Sequence, residues 1–213
     1  MVFGSPDQIS DYEYNAYISQ MIGHLDASIE NKKNNDTTLA ILHSTHPKEE
    51  IISFITNKLN NVNSTYLQEL EILLENYTNV ISSSSYQDSK LVKNYIENLL
   101  IETINEIIPE QTRTSEAFLL NVTADLLNSA QIEYLDAMYE EKIINKLEYQ
   151  DSQQFYQQAI KILNQIQEPS DRISSMINEI SQIKEMVDNQ QDSSKVSSNT
   201  LDLVCEIKGG FYC

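Results

Sequence analysis

Glycine and proline are scarce in this chain: four of each in 213 residues, with no tryptophan. An all-β protein needs many turns, and turns draw on those two residues, so the shortage argues against one. It favours long helices with few breaks. Arginine is scarcer still, at Arg113 and Arg172. Guanidinium clamps for phosphate or carboxylate substrates are therefore in short supply. No run approaches the roughly 18 apolar residues of a membrane span. A glycine-rich phosphate loop, G-x-S-x-G, H-E-x-x-H and C-x-x-C are all missing. The Glu-x-x-His pairs of ferritin-like di-iron bundles are missing as well. The residues three before the histidines are Met21, Ala40 and His43, so a conventional di-iron oxidase is not expected. These absences point away from an enzyme.

Positive charge is also short. The net charge is −18, which repels nucleic acid and anionic lipid and attracts cations; the ordinary alternative is that it only maintains solubility. The length suits one domain, or one domain with an appendage. A signal peptide is not expected from the opening residues. The start Met1-Val2-Phe3-Gly4-Ser5-Pro6 fits a native cytosolic terminus or a mature secreted one. The two cysteines, Cys205 and Cys213, both lie in the tail and flank Gly209-Gly210. Far from any histidine, neither suggests a nucleophile. The pair suggests a disulfide-closed hairpin outside the reducing cytosol, or else two free thiols.

What is present is helical periodicity. Ser10 or Asp11 can cap a first helix, in which Ile18, Ile22, Leu25 and Ile29 repeat at helical spacing. Asp36 or Thr37 can cap a second helix, carrying Leu39, Leu42, His43 and His46. Pro47 then predicts a restart or a kink. A polar turn over 60–64 precedes a helix over 65–81, and another ends at Pro109. The spacing predicts one long fifth helix over 115–147, and a sixth with Phe155, Ala159, Ile162 and Leu163. Pro169-Ser170-Asp171 begins a seventh, whose narrow stripe of Ile173, Ile177, Ile180, Ile183 and Val187 resembles a coiled-coil seam. Residues 190–200 read as a polar linker, and 201–213 as a short strand pair. The expected fold is thus all-α, an antiparallel helical bundle with a small C-terminal appendage. Its expected divisions are a bundle at 1–167, a packing helix at 168–190, and a linker with a cysteine-closed tail at 191–213.

The three histidines, His24, His43 and His46, fall in the first two helices. His43 and His46 are one helical turn apart and share a face. Imidazole with carboxylate suits iron, zinc, copper or nickel. Candidate carboxylates are Asp26, Glu49 and Glu50 nearby, and Glu133, Glu140, Glu148 and Asp151 further on. Glu133, Glu140 and Glu148 recur at two-turn spacing, on one face of the expected fifth helix. Tyr134 and Tyr149 stand beside carboxylates, and phenolate can ligate ferric ion. Against this, a surface histidine usually has no special role, and a carboxylate row is usually a solvated helix face.

Two segments carry a resemblance. One is YISQMIGHLDASIENKKNNDTTLAILHSTHPKEE, from Tyr17 to Glu50; the other reads LLNSAQIEYLDAMYEE and then EYQDSQQFYQQAIKILNQI. Over Tyr14 to Ile166 the chain resembles the helical extracytoplasmic domain that precedes the membrane part of some archaeal iron permeases, relatives of the oxidase-coupled iron transporters. The carriers are His24, the string His43, His46 and Pro47, and the pair Glu133-Tyr134 with Glu148-Tyr149 and Asp151. The R-E-x-x-E motifs of the permease itself are absent, so transport by this chain is not implied. A looser similarity is to imelysin-type iron-binding domains. Their G-x-H-x-x-E motif is broken here: Gly23 directly precedes His24, Ala27 stands in place of the glutamate, and only His46-x-x-Glu49 supplies the second half.

The resemblance implies an extracytoplasmic, cell-surface module that binds a transition metal, iron before copper or zinc. Such a module presents the ion to a permease or another surface protein. Candidate metal ligands are His24, His43, His46, Glu50, Glu133, Glu148 and Asp151. The alternative is a metal-free sensor or interaction domain using the Ile173, Ile177 and Ile180 stripe as its partner surface.

Overall fold

The computed structural model describes residues 9–210. It is all-α apart from one two-stranded hairpin. Backbone contacts divide the chain after Pro109 into two compact units, Met1–Pro109 and Glu110–Cys213.

The first unit contains α1 (Asp11–Lys33), α2 (Thr37–His46), a π-helical turn (Pro47–Ile51), α3 (Ile52–Ser83) and α4 (Tyr86–Ile107). Helix α1 begins at a capping box. The Ser10 hydroxyl accepts from the Glu13 N–H at 3.2 Å, and the Ser10 N–H donates to the Glu13 carboxylate at 2.7 Å. The helix ends at Asn34, and left-handed Asn35 (φ 63°) reverses the chain. Asp36 then caps α2 through the Leu39 N–H at 3.2 Å. The expected break at Pro47 is a widened turn rather than a stop. Proline has no N–H for the His43 carbonyl, and at the end of the turn the Ile52 N–H donates five residues back, to the Pro47 carbonyl.

The expected turn over 60–64 narrows to a single non-helical residue inside α3, Asn63. Its side chain accepts from the Thr65 N–H at 3.0 Å and so caps the second half of the helix. Helix α1 packs on α2 and α4, and α3 also packs on α2 and α4, closing a ring. Tyr14, Ile18, Met21 and Leu25 of α1 are fully buried, as are Leu70, Tyr77 and Ile96. Across the ring, the Lys93 ammonium on α4 lies 2.6 Å from Asp26 on α1 and 2.5 Å from Glu97.

The second unit contains a single turn, α5 (Glu110–Arg113), then α6 (Glu116–Ala137), β1 (Met138–Tyr139), β2 (Lys142–Ile143), α7 (Lys146–Leu163), α8 (Asp171–Asp188) and α9 (Ser193–Ile207). Helix α6 packs on α7 and α9, and α8 packs on the same two, again closing a ring of four.

Two expectations are overturned here. The long fifth helix is really two helices joined by the β-hairpin, which pairs Met138 with Ile143 and Tyr139 with Lys142. Glu140 and Glu141 form its tip with φ of 46° and 59°, the left-handed pair of a type I′ turn. The Ala137 carbonyl accepts from Ile144 at 2.8 Å, and Asn145 caps α7 through the Leu147 N–H at 3.1 Å. The C-terminal appendage is likewise not one. Residues 193–207, expected as linker and strand, form α9, capped by Asp192 through the Lys195 N–H at 3.0 Å. Val196, Thr200, Leu203 and Ile207 sit at helical spacing and are buried, which makes α9 a full member of the bundle. Cys213, needed for the expected disulfide with Cys205, lies outside the described residues.

Candidate metal centre

The histidines are buried, not surface residues: His24, His43 and His46 are at most 6% exposed. Helix α1 supplies His24, and the last turns of α2 supply the other two, which the contact between α1 and α2 brings together. The His24 and His46 rings meet edge to face with centroids 5.0 Å apart, and those of His43 and His46 lie 5.8 Å apart. One ligand nitrogen from each of the three lies within 4.8 Å of the others. A metal about 2.1 Å from each nitrogen needs somewhat smaller separations, within reach of small ring rotations. Neutral imidazoles suit iron, copper and zinc alike, so the donor set fits a transition metal.

Glu50 joins this cluster from the π-helical turn. Its Oε2 is 3.8 Å from His24 Nε2 and its Oε1 is 3.7 Å from His46 Nε2. The carboxylate side chain is 51% exposed, whereas the imidazoles it faces are buried. Within the first unit, Asp26 and Glu49 have other partners. Asp26 pairs with Lys93, and Glu49 accepts from the Thr45 hydroxyl at 3.1 Å.

The remaining candidates stand in the second unit. Glu133 is half-buried on α6, Glu140 is exposed at the hairpin tip, and Glu148 is half-buried in the first turn of α7. The hairpin between α6 and α7 abolishes the common face expected for them. Glu148 accepts from the Asn145 side chain at 3.3 Å. Asp151 on α7 is fully buried.

The two tyrosines beside carboxylates, Tyr134 and Tyr149, bind backbone oxygens. The Tyr134 and Tyr149 rings lie 6.2 Å apart. The Tyr134 hydroxyl donates to the Gln191 carbonyl at 2.7 Å, and that of Tyr149 to the Val187 carbonyl at 3.0 Å. Both thereby bind backbone oxygens where α8 gives way to α9. Burial, with smaller contributions from Tyr149 and Asp192, pushes the Tyr134 phenol up to about 12. Burial and then Asp188 raise Tyr149. Both shifts oppose phenolate formation. The stripe on α8 is also occupied: Ile173, Ile180, Ile183 and Val187 are buried in the contacts with α7 and α9, leaving little of it for an outside partner.

Sequence reasoning named the three histidines and Glu50, but missed that Asp26 belongs to Lys93. The i, i+4 spacing of Lys93 and Glu97 was a visible signal, while the partner across the ring was not.

The second unit is, as a class, a closed antiparallel four-helix bundle. Residues 109–207 match the family model of the iron permease-associated 4-helix bundle domain. The match runs from Pro109 to the end of α9, so it includes the Glu-Tyr pairs and Asp151. Of the first unit it takes in only Pro109, and it reaches none of the three histidines, whereas the resemblance read from the sequence extends from Tyr14 to Ile166. No curated protein and no solved structure matches the chain. Among the described residues, no helix is long and apolar enough to cross a membrane.

Proposed function

We propose that the chain is an extracytoplasmic metal-binding module that captures a transition metal ion, iron foremost, and presents it to a membrane permease. The observation that carries this reading is the convergence of all three histidines of the chain into one buried cluster. Burying three imidazoles beside one another costs packing freedom and polar desolvation, and a shared cation would offset that cost. His24, His43 and His46 are the ligands. Glu50, in the same unit, faces two of them with its carboxylate. The match of residues 109–207 to an iron permease-associated domain supports the permease as partner. Binding and hand-off require no bond chemistry, so the module is not an enzyme.

The experiment is metal content by elemental analysis after incubation with Fe, Cu, Zn or Ni salts and desalting, beside a His24/His43/His46 triple-alanine variant. Stoichiometric metal that disappears in the variant is the expected result. Equal metal in both proteins, or none in either, would refute the site.

A further inference from the structure

A module that hands a metal on must let it in and out, and the imidazoles cannot do this alone. All three are buried, and their edge-to-face packing restricts swinging. Glu50 differs from them in three ways. Half of its side chain is in water. Its two oxygens face two different imidazoles, His24 on α1 and His46 on α2. It is also carried by a π-helical turn beginning at Pro47, where the helical hydrogen-bond ladder is interrupted. Such turns recur at functional sites.

We infer that Glu50 is the transit carboxylate of the site: it takes the cation from solvent, carries it to the His24 and His46 Nε2 atoms, and withdraws it again on release. This inference rests on the imidazoles binding metal and assigns the route and its rate. Charge supports it. An exposed carboxylate beside a buried imidazole cluster attracts a hydrated cation. A carboxylate with two oxygens on a half-exposed stem can exchange water for imidazole nitrogen stepwise, so the ion is never stripped of ligands at once. The neighbouring Glu49 is not placed for the role, since its carboxylate accepts from the Thr45 hydroxyl.

The test is stopped-flow binding of Co(II), read by its visible absorption, to the full chain and its Glu50→Gln variant, with dissociation measured by chelator competition. Loss of a carrier raises the barrier in both directions. The expected result is association slowed about tenfold, the low end of what an exposed charge contributes to cation capture, with dissociation slowed in parallel and Kd little changed. A static ligand would instead leave association unaltered, speed dissociation and weaken affinity about 10–100-fold. That result, unchanged rates, or faster rates in both directions would each overturn the inference while leaving the histidine site standing. Absence of Co(II) binding to the wild-type chain would remove both readings. Glu50→Gln is isosteric and half exposed, and an unaltered far-UV spectrum confirms its fold.

Discussion

Replacing Lys93 with methionine should cost the first unit far more than its single charge suggests. The Lys93 side chain is 8% exposed, and its partners Asp26 and Glu97 are 19% and 29% exposed. Removing one partner of a buried ion pair costs about 3–5 kcal/mol, because the remaining charge stays desolvated. Here two carboxylates are left, but water reaches part of each, so the expected loss falls to about 2 kcal/mol. Lys184→Met is the control. Lys184 also pairs with an i+4 carboxylate, Asp188, at 2.8 Å, but that carboxylate is 41% exposed, and its loss should cost about 0.5 kcal/mol or less.

Burial lowers the pKa of Lys93, yet the two carboxylates outweigh it, and the net shift is upward from 10.5. A raised lysine contributes stability that is complete below its unfolded pKa and is lost as pH rises through the folded one. The difference between wild type and Lys93→Met should therefore be flat through neutral pH and shrink only in alkali. Urea unfolding followed by far-UV circular dichroism measures it. Neutralising all three groups together (Asp26→Asn, Lys93→Met, Glu97→Gln) should recover most of the loss, since no orphaned charge remains. A Lys93→Met variant as stable as the Lys184→Met control would refute the argument.

The buried phenols give a second alkaline signature. Burial holds Tyr14, Tyr77 and Tyr156 far above their ordinary pKa of 10.0, and Tyr134 at about 12. Absorbance at the phenolate band should rise in two steps with pH, the exposed tyrosines first and the buried ones only as the bundles open. A single step centred near the ordinary value would contradict the burial. At the hairpin tip, Glu140→Asn with Glu141→Gly replaces two left-handed glutamates by the pair that favours this turn. It should stabilise the second unit by about 1–2 kcal/mol, read as a higher urea midpoint at unchanged slope. A lower midpoint would mean that the glutamates make contacts worth more than their strain.

Helical periodicity made most of the fold legible. The caps at Ser10 and Asp36, each one of two residues expected there, the helix start at Pro169-Ser170-Asp171 and the apolar repeats of α1, α3, α4 and α8 need only local rules, and they formed where expected. Two failures share a cause. The segment 134–148 is rich in helix formers, and only Asn145 hinted at a new helix start; pairing across Met138–Ile143 overrode propensity. In 193–207, serines and asparagine suggested a linker, but Val196, Thr200, Leu203 and Ile207 found a groove in the bundle to fill. Propensity is a weak prior that tertiary burial overrides.

The same division runs through the site. By itself the sequence determined the helical class, the spacing that puts His43 and His46 on one face, the break at Pro47, and the shortage of groups for phosphate or nucleophile chemistry. Those are consequences of residue types at short range. Only the tertiary structure decided that α1 lays His24 against His46, that Glu50 reaches both, that Lys93 claims Asp26, and that Tyr134 and Tyr149 serve backbone carbonyls. Each of these joins residues on different helices, and the rotation and register of one helix against another are set by packing across the ring, which a periodic pattern leaves open.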